Sequence, residues 1–126
     1  MRLLLDTHVF VWWYTGDERL SRRAQEAIAD PANEVLASAV IVWEIAVKRA
    51  LGRMRFDGSV ERAVAGEAFL PLPVTLRHAE LVGTLPHHHG DPFDRLLLAQ
   101  AQAESMTLVT QDAQLRAYEG VALLET

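Results

Sequence analysis

With 126 residues, half of them hydrophobic, the chain has enough apolar material for one domain, 1–126, which at this size buries roughly two-thirds of its unfolded surface. The absence of cysteine excludes disulfides and thiolate metal sites and fits a reducing cytoplasm. A formal net charge of −5 argues against a protein that grips nucleic acid by bulk electrostatics, though not against a small acidic site whose charge a metal cancels.

Near the start, Leu3-Leu4-Leu5-Asp6-Thr7-His8 sets three apolar residues before a charge. Such a run reads as a short strand buried on both faces, the kind found in parallel sheets. That strand has no solvent face for an acid, so Asp6 is expected at its carboxyl end, where open α/β sheets bind ligands. His8 to Tyr14 is apolar nearly all round and reads as a short covered helix, with Thr7 as its N-cap and Gly16-Asp17 as its end. Ser21 opens a second helix, Arg22 to Ala29, expected to pair with the first as a hairpin and closed by Asp30-Pro31.

Glu34 to Ala37 is the second strand, and Ser38 can cap a helix from Ala39 to Leu51, with Gly52 as its C′ residue. The apolar run Val35 to Trp43 is shorter than the roughly 20 residues of a membrane span, so no membrane association is expected. The N-terminus lacks the pattern of a signal peptide, and a cytoplasmic protein is the expectation. In the third helix Val40, Ile41, Val47 and Leu51 form the apolar stripe, and Glu44 falls within it. An (i, i+4) pair with Lys48 is the bland explanation of that acid. Lys48, Arg49, Arg53 and Arg55 then make a local basic cluster, either a solvated helix end or a track for a nucleic-acid backbone.

Ser59 can cap a helix from Val60 to Phe69, and Leu72-Pro73-Val74 is a short third strand that its proline places at an edge. Thr75 caps Leu76 to Leu85. Pro86-His87-His88-His89-Gly90 reads as a solvated loop, since adjacent histidines point apart and no cysteine or spaced histidine completes a zinc site. Asp91-Pro92 is a strong helix start, opening Pro92 to Glu104, in which Asp94 lies in line with Leu97, Leu98 and Ala101. Asp94 could also serve as the N3 acid of a capping box on Asp91. Thr107 to Thr110 is the fourth strand, Asp112 starts a short helix, and Val121 to Leu124 is the last strand. Strands alternating with helices imply one α/β domain, a parallel sheet with helices on both faces.

Asp6 and Asp112 follow strands, whose carboxyl ends share one edge of a parallel sheet. Glu44 and Asp94 sit early in helices that start at that edge. Four carboxylates therefore converge on one cleft, an arrangement that opposes folding unless a cation is present. Oxygen ligands of this kind suit Mg²⁺ or Mn²⁺ rather than Zn²⁺, and such ions activate water and neutralise phosphoryl charge.

These residues resemble those of the PIN-domain family, and specifically VapC-type toxins of bacterial toxin–antitoxin pairs. The resemblance is carried by Leu3 to His8, by Ser38 with Trp43-Glu44-Ile45-Ala46-Val47-Lys48, by Asp91-Pro92-Phe93-Asp94-Arg95 through Ala101, and by Leu108-Val109-Thr110-Gln111-Asp112. It implies a sheet ordered 3-2-1-4-5 and a Mg²⁺- or Mn²⁺-dependent endoribonuclease acting on structured RNA such as tRNA or rRNA. Asp6, Glu44, Asp94 and Asp112 are then the metal ligands. It also implies a cognate antitoxin that occludes the cleft, a homodimer and a toxin–antitoxin heteromer. Members of this subgroup often carry arginine where this chain has Gly90, so RNA or antitoxin would here meet other cations. The rival of a different class is a catalytically idle PIN domain that binds protein or RNA. An aspartyl-phosphate phosphatase is disfavoured, because its second acid would stand where His8 does.

Overall fold

Leu3, Leu4 and Leu5 are fully buried, although neighbouring residues of a strand point to opposite faces. Both sides of this strand are therefore covered, as the unbroken leucine run requires. The computed structural model describes residues 1–126. Its strands are β1 (Arg2–Leu5), β2 (Glu34–Ser38), β3 (Leu70–Leu72), β4 (Thr107–Thr110) and β5 (Ala122–Glu125). All pair in parallel, in the order β3-β2-β1-β4-β5. Six α-helices connect them: α1 (Thr7–Thr15), α2 (Arg22–Ala29), α3 (Ala39–Ala50), α4 (Val60–Gly66), α5 (Leu76–Val82) and α6 (Pro92–Glu104). A short 3₁₀ turn, Ala113–Ala117, precedes β5.

The strand order places β1 between β2 and β4, with Leu5 paired to Val109. The chain leaves β1 towards β2 on one side and returns to β4 on the other. The carboxyl ends of β1 and β4 thus flank the switch point at which open sheets bind ligands. The expected architecture and edge position of β3 hold, with Pro71 in place of Pro73 inside the strand. Segment ends differ modestly. The fourth helix stops at Gly66, the third strand spans Leu70–Leu72 and the fifth helix ends at Val82.

Three local expectations are corrected. Asp6, not Thr7, caps α1: its Oδ1 accepts the Val9 amide at 2.8 Å, and Thr7 is the first helical residue. Leu51 does not continue the buried stripe of α3. It is 60% exposed, because the helix turns out past Ala50 into a left-handed Gly52. The principal neighbours of α1 are α3 and β4 rather than α2. Its tryptophans are half-buried: Trp13 Nε1 donates to Glu67, and the Arg19 guanidinium lies over the Trp12 ring.

A buried polar thread ties α5 and α6 to β2. His78 Nδ1 accepts the Thr75 amide at 3.0 Å, and its Nε2 pairs with Glu104 at 2.8 Å. Gln100 accepts from the Ser38 hydroxyl and donates to the Pro73 carbonyl. Leu4→Ala, at the centre of the sheet, is expected to lower stability by roughly 2–5 kcal/mol through lost transfer energy and a cavity. A lower urea midpoint at unchanged slope would show it.

Candidate metal centre

Asp6 is 3% exposed, and burial pushes its carboxyl above the usual range, against the opposing hydrogen bonds of Thr110, Val9 and Gln111. Thr110 Oγ1 donates to Asp6 Oδ2 at 2.6 Å, and the Gln111 amide reaches the same oxygen at 3.3 Å. The Asp112 amide in turn donates to Thr110 Oγ1 at 3.0 Å. One threonine hydroxyl therefore links the end of β1 to the last acid.

Glu44, equally buried at 3%, accepts from the Thr7 hydroxyl on one oxygen and from Lys48 on the other. The ordinary helical ion pair does form, with Glu44 buried on the inner side of α3. Asp94 follows Asp91, whose Oδ1 accepts the Phe93 and Asp94 amides at 2.8 and 3.2 Å. The reciprocal half of a capping box is missing, since the Asp91 amide donates to His89 Nδ1 instead. The Asp94 carboxylate is thus free of capping duty.

Burial raises the Asp94 carboxyl to about 7, helped by the charges of Asp91, Asp6 and Glu44 and opposed by His89. Asp6 and Glu44 are among the acids expected at this edge, and Asp91, expected only as a cap, joins them as a third like charge acting on Asp94. The tightest grouping is narrower than four acids: ligand atoms of His89, Asp94 and Asp112 lie within 4.8 Å of one another. His89 Nε2 stands 2.6 Å from Asp112 Oδ2 and 3.5 Å from Asp94 Oδ2. The histidine loop is therefore not wholly solvated. His87 and His88 are exposed, but His89 is partly buried and turned towards Asp112 and Asp94.

The donor set is oxygen-rich, and its mutual repulsion would be relieved by a hard divalent ion. Asp94 and Asp112 are nearest to sharing one, and the charges of Asp6 and Glu44 reach Asp94. Thr7 and Thr110, which hold Glu44 and Asp6, carry no signal in the sequence beyond standing next to an acid or at a strand end.

A model of the PIN domain matches residues 3–121. The chain belongs to the PIN-domain family. Ribonuclease VapC22 of Mycobacterium tuberculosis (strain ATCC 25618 / H37Rv) is 33% identical over 119 residues, covering 92% of this chain and 91% of that protein. Among solved structures, VapBC2 from Rickettsia felis bound to a DNA fragment from its promoter aligns with a TM-score of 0.69 at 14% identity, covering 99% of this chain and 98% of that one. VapBC-5 of M. tuberculosis, from the VapBC family of toxin–antitoxin systems, aligns at 0.63 and 19% identity with the same coverage. At such identities these structures speak for the PIN fold.

In this PIN domain a Cβ at Gly90 would meet nothing within 4 Å, and the residue has no left-handed φ, so the backbone does not demand glycine there. Of the basic cluster, Lys48 is spent on Glu44, Arg49 donates to the Gly58 carbonyl and Arg55 pairs with Asp57. Arg53 is exposed.

An acid with a raised folded-state pKa keeps its proton in the native protein while the unfolded chain has lost it. Stability of the metal-free protein therefore falls as pH climbs from the ordinary 3.8 of Asp94 towards about 7. Asp94→Asn is expected to melt higher than the unaltered protein in EDTA at about pH 8, with the gap closing at about pH 5. Thermal denaturation across that range checks the sign.

Proposed function

We propose that this chain is a Mg²⁺- or Mn²⁺-dependent endoribonuclease toxin of the VapC type, with Asp6, Glu44, Asp94 and Asp112 as its metal-holding residues. The observation that carries the reading is the gathering of Asp94, Asp112 and His89, whose ligand atoms lie within 4.8 Å of one another, with burial and the charges of Asp91, Asp6 and Glu44 pushing the Asp94 carboxyl up. Acids so placed weaken the empty fold and gain from a cation, which is the pattern of a functional site. Asp6 and Glu44 are oriented by protein donors, so their free lone pairs face a fixed direction. Asp112 is held through its Oδ1, which accepts the Gln114 amide at 2.9 Å.

A divalent ion in this cleft would supply the Lewis acidity that activates water and neutralises charge on a phosphoryl oxygen. Phosphodiester hydrolysis by that route needs no 2′-hydroxyl. The choice of RNA rests on the likeness to a mycobacterial ribonuclease, and tRNA or rRNA is the substrate class proposed. A cognate antitoxin that covers the cleft is supported by the likeness to VapBC assemblies. A homodimer, a toxin–antitoxin heteromer and a cytoplasmic location complete the reading. No helix is long and apolar enough to cross a membrane.

Asp6→Asn keeps the shape of the cap but removes the charge. It is expected to lower metal-dependent RNA cleavage by at least about 100-fold, the upper range for loss of a mere supporting group. Cleavage of RNA by the purified protein that is equal in EDTA, or equal after Asp6→Asn, overturns the mechanism.

A further inference from the structure

His89 stands close to two of the proposed metal-holding acids, yet the ring nitrogen that faces them is a donor. Its Nδ1 accepts the Asp91 amide at 3.0 Å. A ring nitrogen that accepts carries no hydrogen, so in the neutral imidazole the hydrogen sits on Nε2. That Nε2–H points at Asp112 Oδ2, 2.6 Å away. A nitrogen carrying hydrogen has no lone pair for a metal. Metal-ligating histidines show the opposite pattern, donating through their second nitrogen to a carboxylate or carbonyl.

The position of the ring is fixed from outside the cleft. The His89 amide donates to the Tyr118 hydroxyl at 3.0 Å, and Arg95 Nη1 donates to the same oxygen at 3.1 Å. Arg95 also donates to the carbonyls of Pro86, Val82 and Leu85, at 2.8, 3.1 and 3.2 Å. The loop bearing His89 is thus pinned to α6, and the ring is carried to Asp112 rather than drifting there. With Gln114 on Oδ1 and His89 on Oδ2, each oxygen of Asp112 has one protein donor and keeps lone pairs to spare.

We propose that His89 is a positioning residue of the metal centre: it fixes the Asp112 carboxylate through Nε2–H and does not itself bind the ion. The inference rests on the reading of the acids as metal-holding residues. It assigns a role to one of the loop's three adjacent histidines and makes the centre one of oxygen ligands alone.

The test uses Mn²⁺ as the probe on the full-length purified protein, with free Mn²⁺ followed by electron paramagnetic resonance and Mg²⁺ measured by competition. His89→Ala is expected to weaken both ions by the same factor, roughly 10–100-fold as for other supporting partners. His89→Gln, which can place an amide N–H near the ring's Nε2, should restore most of the affinity. Electron spin-echo modulation of the Mn²⁺-loaded unaltered protein should show no directly coordinated nitrogen, a reading that needs no variant to fold. Directly coordinated nitrogen that vanishes in His89→Ala makes His89 a ligand and overturns the proposal. Unchanged Mn²⁺ affinity in a folded His89→Ala protein overturns it as well. If the unaltered protein binds neither ion, the metal reading itself falls and this inference with it.

Discussion

The hydrogen bond from Thr110 to Asp6 joins the ends of two neighbouring strands and sets the geometry of the cleft. Threonine's hydroxyl donates once and still accepts, so it passes a line of polarity from the Asp112 amide to the Asp6 carboxylate. The Val9 and Gln111 amides complete the shell of that carboxylate. A buried acid held by three donors keeps its place, whereas loss of one partner leaves it poorly compensated. Asp112 is therefore located relative to Asp6 by a short chain of bonds and not by loop chance. This arrangement depends on β1 and β4 being adjacent and parallel, which the crossover past β1 provides.

The same cleft works against the fold that builds it. Glu44 sits among Val40, Ile41 and Ile45 on the buried side of α3, and Asp94 feels three other acids. A sequence optimised for stability alone would place apolar residues there, since local agreement across levels is what makes a fold robust. Lys48 and Thr7 offset part of the conflict at Glu44. Asp94 has no such basic partner apart from His89, at 3.5 Å, and the strain shows in its proton affinity.

Those breaks in pattern are why the acids were legible in the sequence. An acid inside a helical apolar stripe, or just past a buried strand, is conspicuous because period and polarity disagree. The leucine run of β1 and the helix starts at Ser21, Ser38, Ser59, Thr75 and Asp91 were legible for the opposite reason, because local signals agreed with the fold. Thr7 and Thr110 were not: a threonine beside a strand suits both a cap and a strand, and its actual partner is a side chain from another element or a distant strand end. The ends of α4, β3 and α5 slipped although breakers stand at them: Gly66 closes α4, Pro73 follows β3 and Gly83 caps α5, and the apolar pattern ran on past each. Ala68 takes a left-handed φ of 58° without being glycine or asparagine, so the turn that follows Gly66 has no residue-type signal at its left-handed position. His89 was illegible because its orientation is decided by Tyr118 and Arg95, residues that meet it only in the folded chain.

Arg95 shows how one helix serves both the acids and their support. It is 7% exposed, and its four bonds all go to neutral oxygens, with no carboxylate among them. A buried cation in that state is tolerable only if its buried donors are met, and no buried side-chain nitrogen or oxygen lacks a partner. The planar fork of guanidinium can meet three carbonyls and a hydroxyl at once, which a lysine ammonium, a single point charge with rotating donors, cannot match. Arg95 is the residue after Asp94, so the two side chains leave α6 about 100° apart. One enters the cleft while the other clasps the loop that returns His89 to Asp112. Any shift of the first turn of α6 therefore moves an acid and the loop's anchor together, so Asp94 and the loop that bears His89 are positioned by one element.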